Sequence, residues 1–446
     1  MSIDRESNVF HRARLVVRDL GRPAVLLVAL LPPTHAGETL LVSVSLDGTP
    51  GDGASGSEFG NQAISGNGRY VIFESFSNDL VAEDTNGDWD IFRRDRVKGT
   101  TGKVTVALSG DPAFGGGLNA SVSANGRYVA FQSNASTHVE GDLNGQSDVF
   151  VRDLKKGVTT RVSVDSSGVE ADGPSHNPRL SANGRYVVFQ SAAENLVAED
   201  GNEKIDIFLH DRKQGTTTRV SVGSAGEEAG ADCIGATVSS SGRYVLFESV
   251  ADDLVAEDLN ETSDVFLHDL KLCTTVRASV DAAGTEADGP SNNGMISANG
   301  RYVVFESAAM NLVDDDGSST FDVFVRDLKL GTVERLSVSE SGAGGDNGSS
   351  RARITANGRF VVFESDAANL LADADRNGDT DVFLADRKLD TLRRVSVDSA
   401  GAEIEGPSAD AAVSRNGRYI AFQSDSDTLA DEDDNESSDV FLKDMK

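Results

Sequence analysis

The sequence predicts an all-β fold: a seven-bladed β-propeller with four antiparallel strands per blade, closed by the N-terminal strand. Three observations predict it. The chain repeats itself about every 58 residues, each repeat carries β-rich runs at fixed places, and a stray strand near the start matches a piece missing from the last copy. The Gly-Arg pair sets the period at Gly68, Gly126, Gly184, Gly242, Gly300, Gly358 and Gly417. A second landmark, Asp followed by Val or Ile and then Phe, keeps step at Asp90, Asp148, Asp206, Asp264, Asp322, Asp381 and Asp439. Seven units account for a length of 446 residues, which a single core would not reach.

Each element follows from local residue chemistry. A short run such as "PRLS" (Pro178 to Ser181) is the first strand and leads into the turn "ANG". "RYVVFQS" is the second strand, dense in β-branched and aromatic residues, and "DVFVRD" is the third, ending at the polar turn "LKKG". "TTRVSV" (Thr159 to Val164) follows at hairpin distance as the fourth. Apolar residues occupy both parities of "YVVF" and "DVFV", so each sheet expects a neighbour on either face, as stacked blades provide. The last unit ends at "DVFLKDMK" without a "TRVSV" strand, and "TLLVSVSLDG" (Thr39 to Gly48) supplies the missing piece. Pairing the two closes a ring and removes its open edges.

"SANGRYVVF" followed by "DVFVRDLKKGVTTRVSV" resembles the TolB-like, WD40-like β-propeller repeat over essentially everything from Glu38 to Lys446. The resemblance implies the propeller fold and leaves function open. The sequence departs from the family in carrying Asn at most of the turn positions, as at Asn125 and Asn183, and seven units where TolB has six. It also lacks room for TolB's separate N-terminal domain, so the Tol-system role is not carried over.

Acidic residues number 72 against 41 Lys and Arg, a formal net charge of −31. Such a surface repels phosphate backbones and anionic lipid, so nucleic acid and anionic membranes are excluded as partners. Residues 1–36 read as a signal peptide or N-terminal export segment: Arg12, Arg14, Arg18 and Arg22 precede the apolar run "AVLLVALL" and a small residue, Ala36. A non-cleaved arm is the other reading of the same segment. Eight apolar residues are too few for a membrane span in the mature chain. Secretion or a periplasmic location is therefore expected, with residues 37–446 as the propeller. Cys233 and Cys273 fall at unrelated repeat positions and read as free thiols.

Between the second and third strands lies the motif that points most directly to chemistry, "DTNGDWD" (Asp84 to Asp90) and "DRNGDTD" (Asp375 to Asp381), with thinner copies elsewhere. Calcium takes six to eight oxygen ligands, and Asp84, Asn86, Asp88 and Asp90, with Asp375, Asn377, Asp379 and Asp381, are the candidate ligands. The alternative is an Asx-turn hairpin whose side chains satisfy backbone amides. The loop is no EF-hand, because Gly87 and Gly378 stand at its fourth place and Asp95 is about 16 Å along an extended strand from Asp90. Asp95 and its equivalents are expected to accept bonds from the turn that follows them.

Residues present in every blade serve folding, and an active site on a ring needs residues that break the symmetry. Few do. His210 and His268 share one strand position, read as solvated or at an edge, and no histidine cluster or nucleophile elbow occurs. Arg179, Arg351 and Arg353 fall in first strands and would lie near the central channel, paired with carboxylates or open to an anion. Trp89 could anchor a protein or glycan partner, or pack beneath its loop. The expected function is a monomeric, non-catalytic binding scaffold for a protein or glycan ligand, with calcium in the Asp/Asn loops as a stabilising cofactor. The alternative is a polysaccharide lyase or hydrolase working at the channel mouth.

Overall fold

The computed structural model describes residues 37–56, 63–82, 84–314, 317, 319–372, 375–430, 433 and 435–446. The expected export segment, residues 1–36, lies outside them. Among the described residues every regular element is a strand, and the strands form seven antiparallel sheets. Blade three shows the plan: Ser175–Leu180, Tyr186–Ser191, Asp206–Asp211 and Thr216–Arg219 pair in chain order. In blade one the first strand is in two pieces, Ser55–Gly56 and Ala63–Ile64, both paired with Tyr70–Ser75.

The apolar runs do what their two-sided pattern demands. Register sets Phe189 opposite Phe208, with ring centroids 5.9 Å apart, and the same pair recurs from Phe73 and Phe92 to Phe422 and Phe441. Burying each ring contributes roughly 1.5–3 kcal/mol. The remaining apolar positions fill the space between sheets: Val188, Ile207 and Leu209 of blade three pack with Val245, Phe247 and Phe266 of blade four. One such core also joins the ends of the repeat, where Val71, Phe73 and Phe92 meet Tyr419, Ala421 and Val440.

Ring closure takes the predicted route. Thr39–Leu41 pairs antiparallel with Asp439–Asp444, Thr39 opposite Lys443 and Leu41 opposite Phe441. Lys443 Nζ then donates to Thr39 Oγ1 at 2.9 Å.

The repeated Gly-Arg has a steric and an electrostatic cause. Gly126 has φ +70°, and a Cβ there would stand 2.1 Å from Cδ2 of Tyr70 in the preceding blade, so only glycine lets the blades approach. Arg127 forms a two-pronged pair with Asp153, Nε to Oδ1 at 2.8 Å and Nη2 to Oδ2 at 2.6 Å, while its guanidinium lies 4.8 Å from the Tyr128 ring centroid. The same Arg–Asp pair ties the turns of all seven blades together. As expected for Asp95, its Oδ1 accepts from Val97 N at 3.2 Å.

First strands of neighbouring blades touch all the way round, blade seven against blade one included, and so line a central channel. Ile64, Val122, Leu180, Val238, Ile296, Ile354 and Val413 line one end of it, a cavity of about 470 Å³. Several first strands carry a bulge with a left-handed residue, Asn119 (φ 57°), Asn177 (φ 51°) and Asp410 (φ 56°) among them. The bulge aims a backbone N–H at the preceding blade: Asn119 N donates to Glu74 Oε1 at 2.7 Å, Asn177 N to Gln132 Oε1 at 2.8 Å and Asp410 N to Glu364 Oε1 at 2.6 Å.

Candidate functional site

The acidic loops lead into the third strand, and their last Asp is its first residue. In blade one that residue, Asp90, is fully buried and accepts from Thr105 Oγ1 and, at 2.8 Å, from Asn86 Nδ2. Asn86 Oδ1 in turn accepts from Asp88 N, which closes an Asx turn. Asp84, Asn86 and Asp90 thus converge, and the ammonium of Lys103 sits among them, 2.7 Å from Asp84 Oδ1 and 2.6 Å from Asp90 Oδ2. Asp88 turns to the next blade, accepting from Gly115 N at 2.8 Å.

Blade six is built alike. Asp379 N donates to Asn377 Oδ1 at 2.9 Å, Asn377 Nδ2 donates to Ile404 O at 2.6 Å, and Asp379 Oδ2 accepts from Gly406 N at 3.0 Å. Arg394 supplies the cation, Nε lying 3.1 Å from Asp381 Oδ2 and Nη1 2.5 Å from Glu403 Oε1. Of the four candidate ligands in this loop, Asp375 and Asp381 meet, joined by a glutamate the sequence motif does not contain.

Oxygens of Asp375, Asp381 and Glu403 lie within 4.8 Å of one another, as do those of Asp142, Asp148 and Glu170 and of Asp258, Asp264 and Glu286. These three triads could hold a metal ion. In each, an arginine from the fourth strand already reaches the acids: Arg394, Arg161 or Arg277. Arg219 does the same in blade three, 3.0 Å from Asp200 and 2.5 Å from Glu228. Burial pushes Asp264 and Asp381 up to about 6, and Asp142 and Asp200 likewise to about 6, against the pull of these arginines. The recurrent Arg in the fourth strand and Glu nine residues later were readable signals of this arrangement. Their distance from the Asp loop in sequence hid it. The weak copy containing Ser318 lies partly outside the described residues.

The histidines are not solvated, which corrects the sequence expectation. His210 and His268 are buried, each Nδ1 2.9 Å from a threonine Oγ1 on the adjacent fourth strand, Thr217 or Thr275, and burial lowers their pKa. Arg94 and Arg152 bond Thr101 and Thr159 from the equivalent place, so the position is a cross-strand clasp in either form. Cys233 and Cys273 are free thiols, as expected.

The repeat breaks at the channel. Asn177, Arg179, Glu248, Asn293, Arg351 and Arg353 line a cavity of about 310 Å³ at the end where the acidic loops lie. Arg351 pairs with Asp410, and its Nε is 4.0 Å from Glu364 Oε2. Burial within the ring, followed by the like charge of Arg353, brings Arg179 down to about 9. Burial also pushes Glu248 up to about 7 and Glu364 up to about 8. The channel mouth is thus a mixed-charge site in which burial raises the pKa of Glu248 and Glu364.

No family model matches the sequence, and no curated protein does either. Among solved structures, an oligogalacturonate lyase from Vibrio parahaemolyticus is similar at 12% identity over 92% of this chain and 99% of that one, with a TM-score of 0.55. An oligogalacturonate lyase in complex with manganese gives 10% identity, 92% and 98% coverage, and a TM-score of 0.55. The β-propeller domain of the Trilobed protease from Pyrococcus furiosus, described as having an open velcro topology, gives 9% identity, 88% and 94% coverage, and a TM-score of 0.54. TolB structures also match, a putative TolB from Agrobacterium tumefaciens at 17% identity over 65% of this chain and 82% of that one, and TolB from Acinetobacter baumannii at 13% over 77% and 64%. Their TM-scores of 0.40 and 0.39 add no weight. Likeness at these identities concerns fold alone: the chain is a seven-bladed β-propeller, here closed by strand pairing.

Proposed function

We propose that the chain is an exported, monomeric, non-catalytic binding scaffold that takes a protein or glycan ligand on the face carrying the acidic loops and the channel mouth. One observation carries this reading. Polar groups that repeat from blade to blade are consumed by the fold in Arg–Asp turn pairs, Ser–Asp–Asn clusters and the arginines over the acidic loops, whereas the exceptions gather on that face. A rigid ring with variable loops suits recognition. Export rests on residues 1–36; among the described residues no helix is long and apolar enough to cross a membrane. The test is a binding screen of the secreted protein against glycan arrays and cell-envelope extracts. Selective retention supports the reading, and failure to retain anything sinks it.

Divalent-metal binding belongs to the same proposal, with calcium at Asp84, Asn86, Asp88 and Asp90 or at Asp375, Asn377, Asp379 and Asp381. Uptake there displaces Lys103 or Arg394 from the acids. Thermal melts before and after chelation decide it, because an ion bound only to the folded state raises the melting temperature.

A polysaccharide lyase or hydrolase is the second reading, and the cavity favours it. Arginines beside carboxyls that titrate near neutrality are the parts of an acid–base site. It predicts release of shortened or unsaturated products from a panel of uronate-containing polysaccharides, abolished by Glu248→Gln. Absence of turnover across the panel removes it.

A further inference from the structure

We propose that an aromatic, acid-rimmed patch at the junction of blades one and two docks a cationic segment of a partner polypeptide. Phe76 is 43% exposed and Phe114 71% exposed, with half-buried Trp89 beside them. The Phe76 and Trp89 rings lie 6.1 Å apart at 54°. The segment bearing Phe114 is pinned against Trp89, since Gly115 N donates to Asp88 Oδ2 at 2.8 Å and Gly117 N to Trp89 O at 2.9 Å. Only this junction is so furnished. At the position of Phe76 the other blades carry Asn, Ala, Val or Asp, at that of Phe114 they carry Asp, Gly or Glu, and at that of Trp89 only Phe321 is aromatic.

Carboxylates border the rings. Asp52 Oδ1 accepts from Asn78 N at 2.7 Å and Asp79 Oδ1 from Asp52 N at 3.1 Å, two and three residues beyond Phe76, while Asp88 adjoins Trp89. The exposed Leu46 reaches the same edge through its N–H to Asp79 O. The clustered acids of the loops in blades one, two, three, four and six are met by an arginine or lysine of the chain's own. Among the described residues no lysine or arginine pairs with Asp52, Asp79 or Asp88, and the exposed Phe76 and half-buried Trp89 stand within three residues of Asp79 and Asp88. Ring faces and carboxylates together are the complement of a guanidinium or ammonium on an apolar stem. The net charge of −31 steers such a segment in, and the aromatic rings anchor it.

The proposal rests on the binding-scaffold reading, and its test separates the two. Trp89 is the only tryptophan, so its emission reports on the patch alone. A short peptide alternating Arg and Leu is titrated into the full chain, beside its Glu and Leu counterpart and a neutral oligosaccharide. The expected result is a saturable change in emission with the Arg peptide only, weakened about tenfold or more in the Phe76→Ala, Phe114→Asp double variant. Both residues are exposed, so the variant keeps its melting temperature. No saturable change, equal binding by the variant, or a response to the oligosaccharide in place of the peptide each overturns the proposal. A variant that still retains its ligand in the envelope screen removes this surface and leaves the scaffold standing.

Discussion

Blades three and seven solve one electrostatic problem with different materials. Both bury an Asp at the start of the third strand, Asp206 or Asp439, behind a second acid, Asp200 or Asp433. In blade three, Arg219 reaches from the fourth strand to Asp200, Asp206 and Glu228. In blade seven the fourth strand comes from the start of the chain, so Leu41 faces Phe441 where Arg219 faces Phe208, and Pro50 stands in place of Glu228. There Asp439 accepts from Ser43 Oγ and, at 2.9 Å, from Asn435 Nδ2, and burial raises its pKa. The closing strand keeps the backbone pairing and the Ser43 bond to Asp439 and gives up the cation. Backbone pairing is what closure requires, and the buried Asp is held by side-chain hydrogen bonds in blade seven where blade three adds an arginine.

The largest effect expected is on closure itself. Deleting residues 37–46 strips blade seven of its outer strand and of Val42, which is buried in the joining core. We expect a loss of about 3 kcal/mol or more, read as a lower denaturation midpoint and a broadened transition. An unchanged midpoint would show that the inter-blade core alone holds the ring. Next, Arg219→Ala leaves the buried Asp206 and the half-buried Asp200 and Glu228 without their cation and should cost about 3 kcal/mol. The reciprocal change, Leu41→Arg in blade seven, should raise the melting temperature at pH 8, because it supplies there what Arg219 supplies in blade three. If Arg219→Ala were neutral, the two blades would differ in sequence without differing in electrostatics.

Acidity sharpens the comparison further. Arg127 holds Asp153 down to about 2, so that pair stabilises the fold above the ordinary carboxylate range and is lost as pH falls toward 2. The buried acids act in the opposite sense. Asp264 and Asp381 at about 6, Glu248 at about 7 and Glu364 at about 8 favour the folded state when protonated, and that contribution fades as pH rises from about 4 to 8. Melting temperature should therefore peak near pH 4 to 5 and decline toward pH 8, with Leu41→Arg flattening the alkaline side. A flat profile across that range would contradict the assignment. The smallest effect belongs to the exposed turn pairs: Arg127→Ala should lower the melting temperature only slightly, because its guanidinium is partly in water.

Legibility followed sequence distance. Gly126, Tyr128 and Asp153 lie within one repeat, and their period alone announced blades, strand order and closure. The loop acids Asp84, Asn86, Asp375 and Asp381 were equally visible, but what lies among them was not. Lys103 and Arg394 arrive from the fourth strand and Glu403 from the loop beyond it, so candidate metal ligands stand beside side-chain cations. The burial of the histidines is hidden in the sequence for a related reason: the threonines that satisfy them sit on the neighbouring strand, seven residues later.

The amino-acid sequence by itself determined the number of blades, the four strands in each and the pairing of the first strand with the last, because period and two-sided apolar patterning are one-dimensional properties. Folding in three dimensions sets which charges meet, where the arginines of blades three and six converge on the channel, and which rings stay in water beside Trp89. Those outcomes depend on distances across turns and between blades, and on how much solvent each group loses, neither of which is written along a single chain.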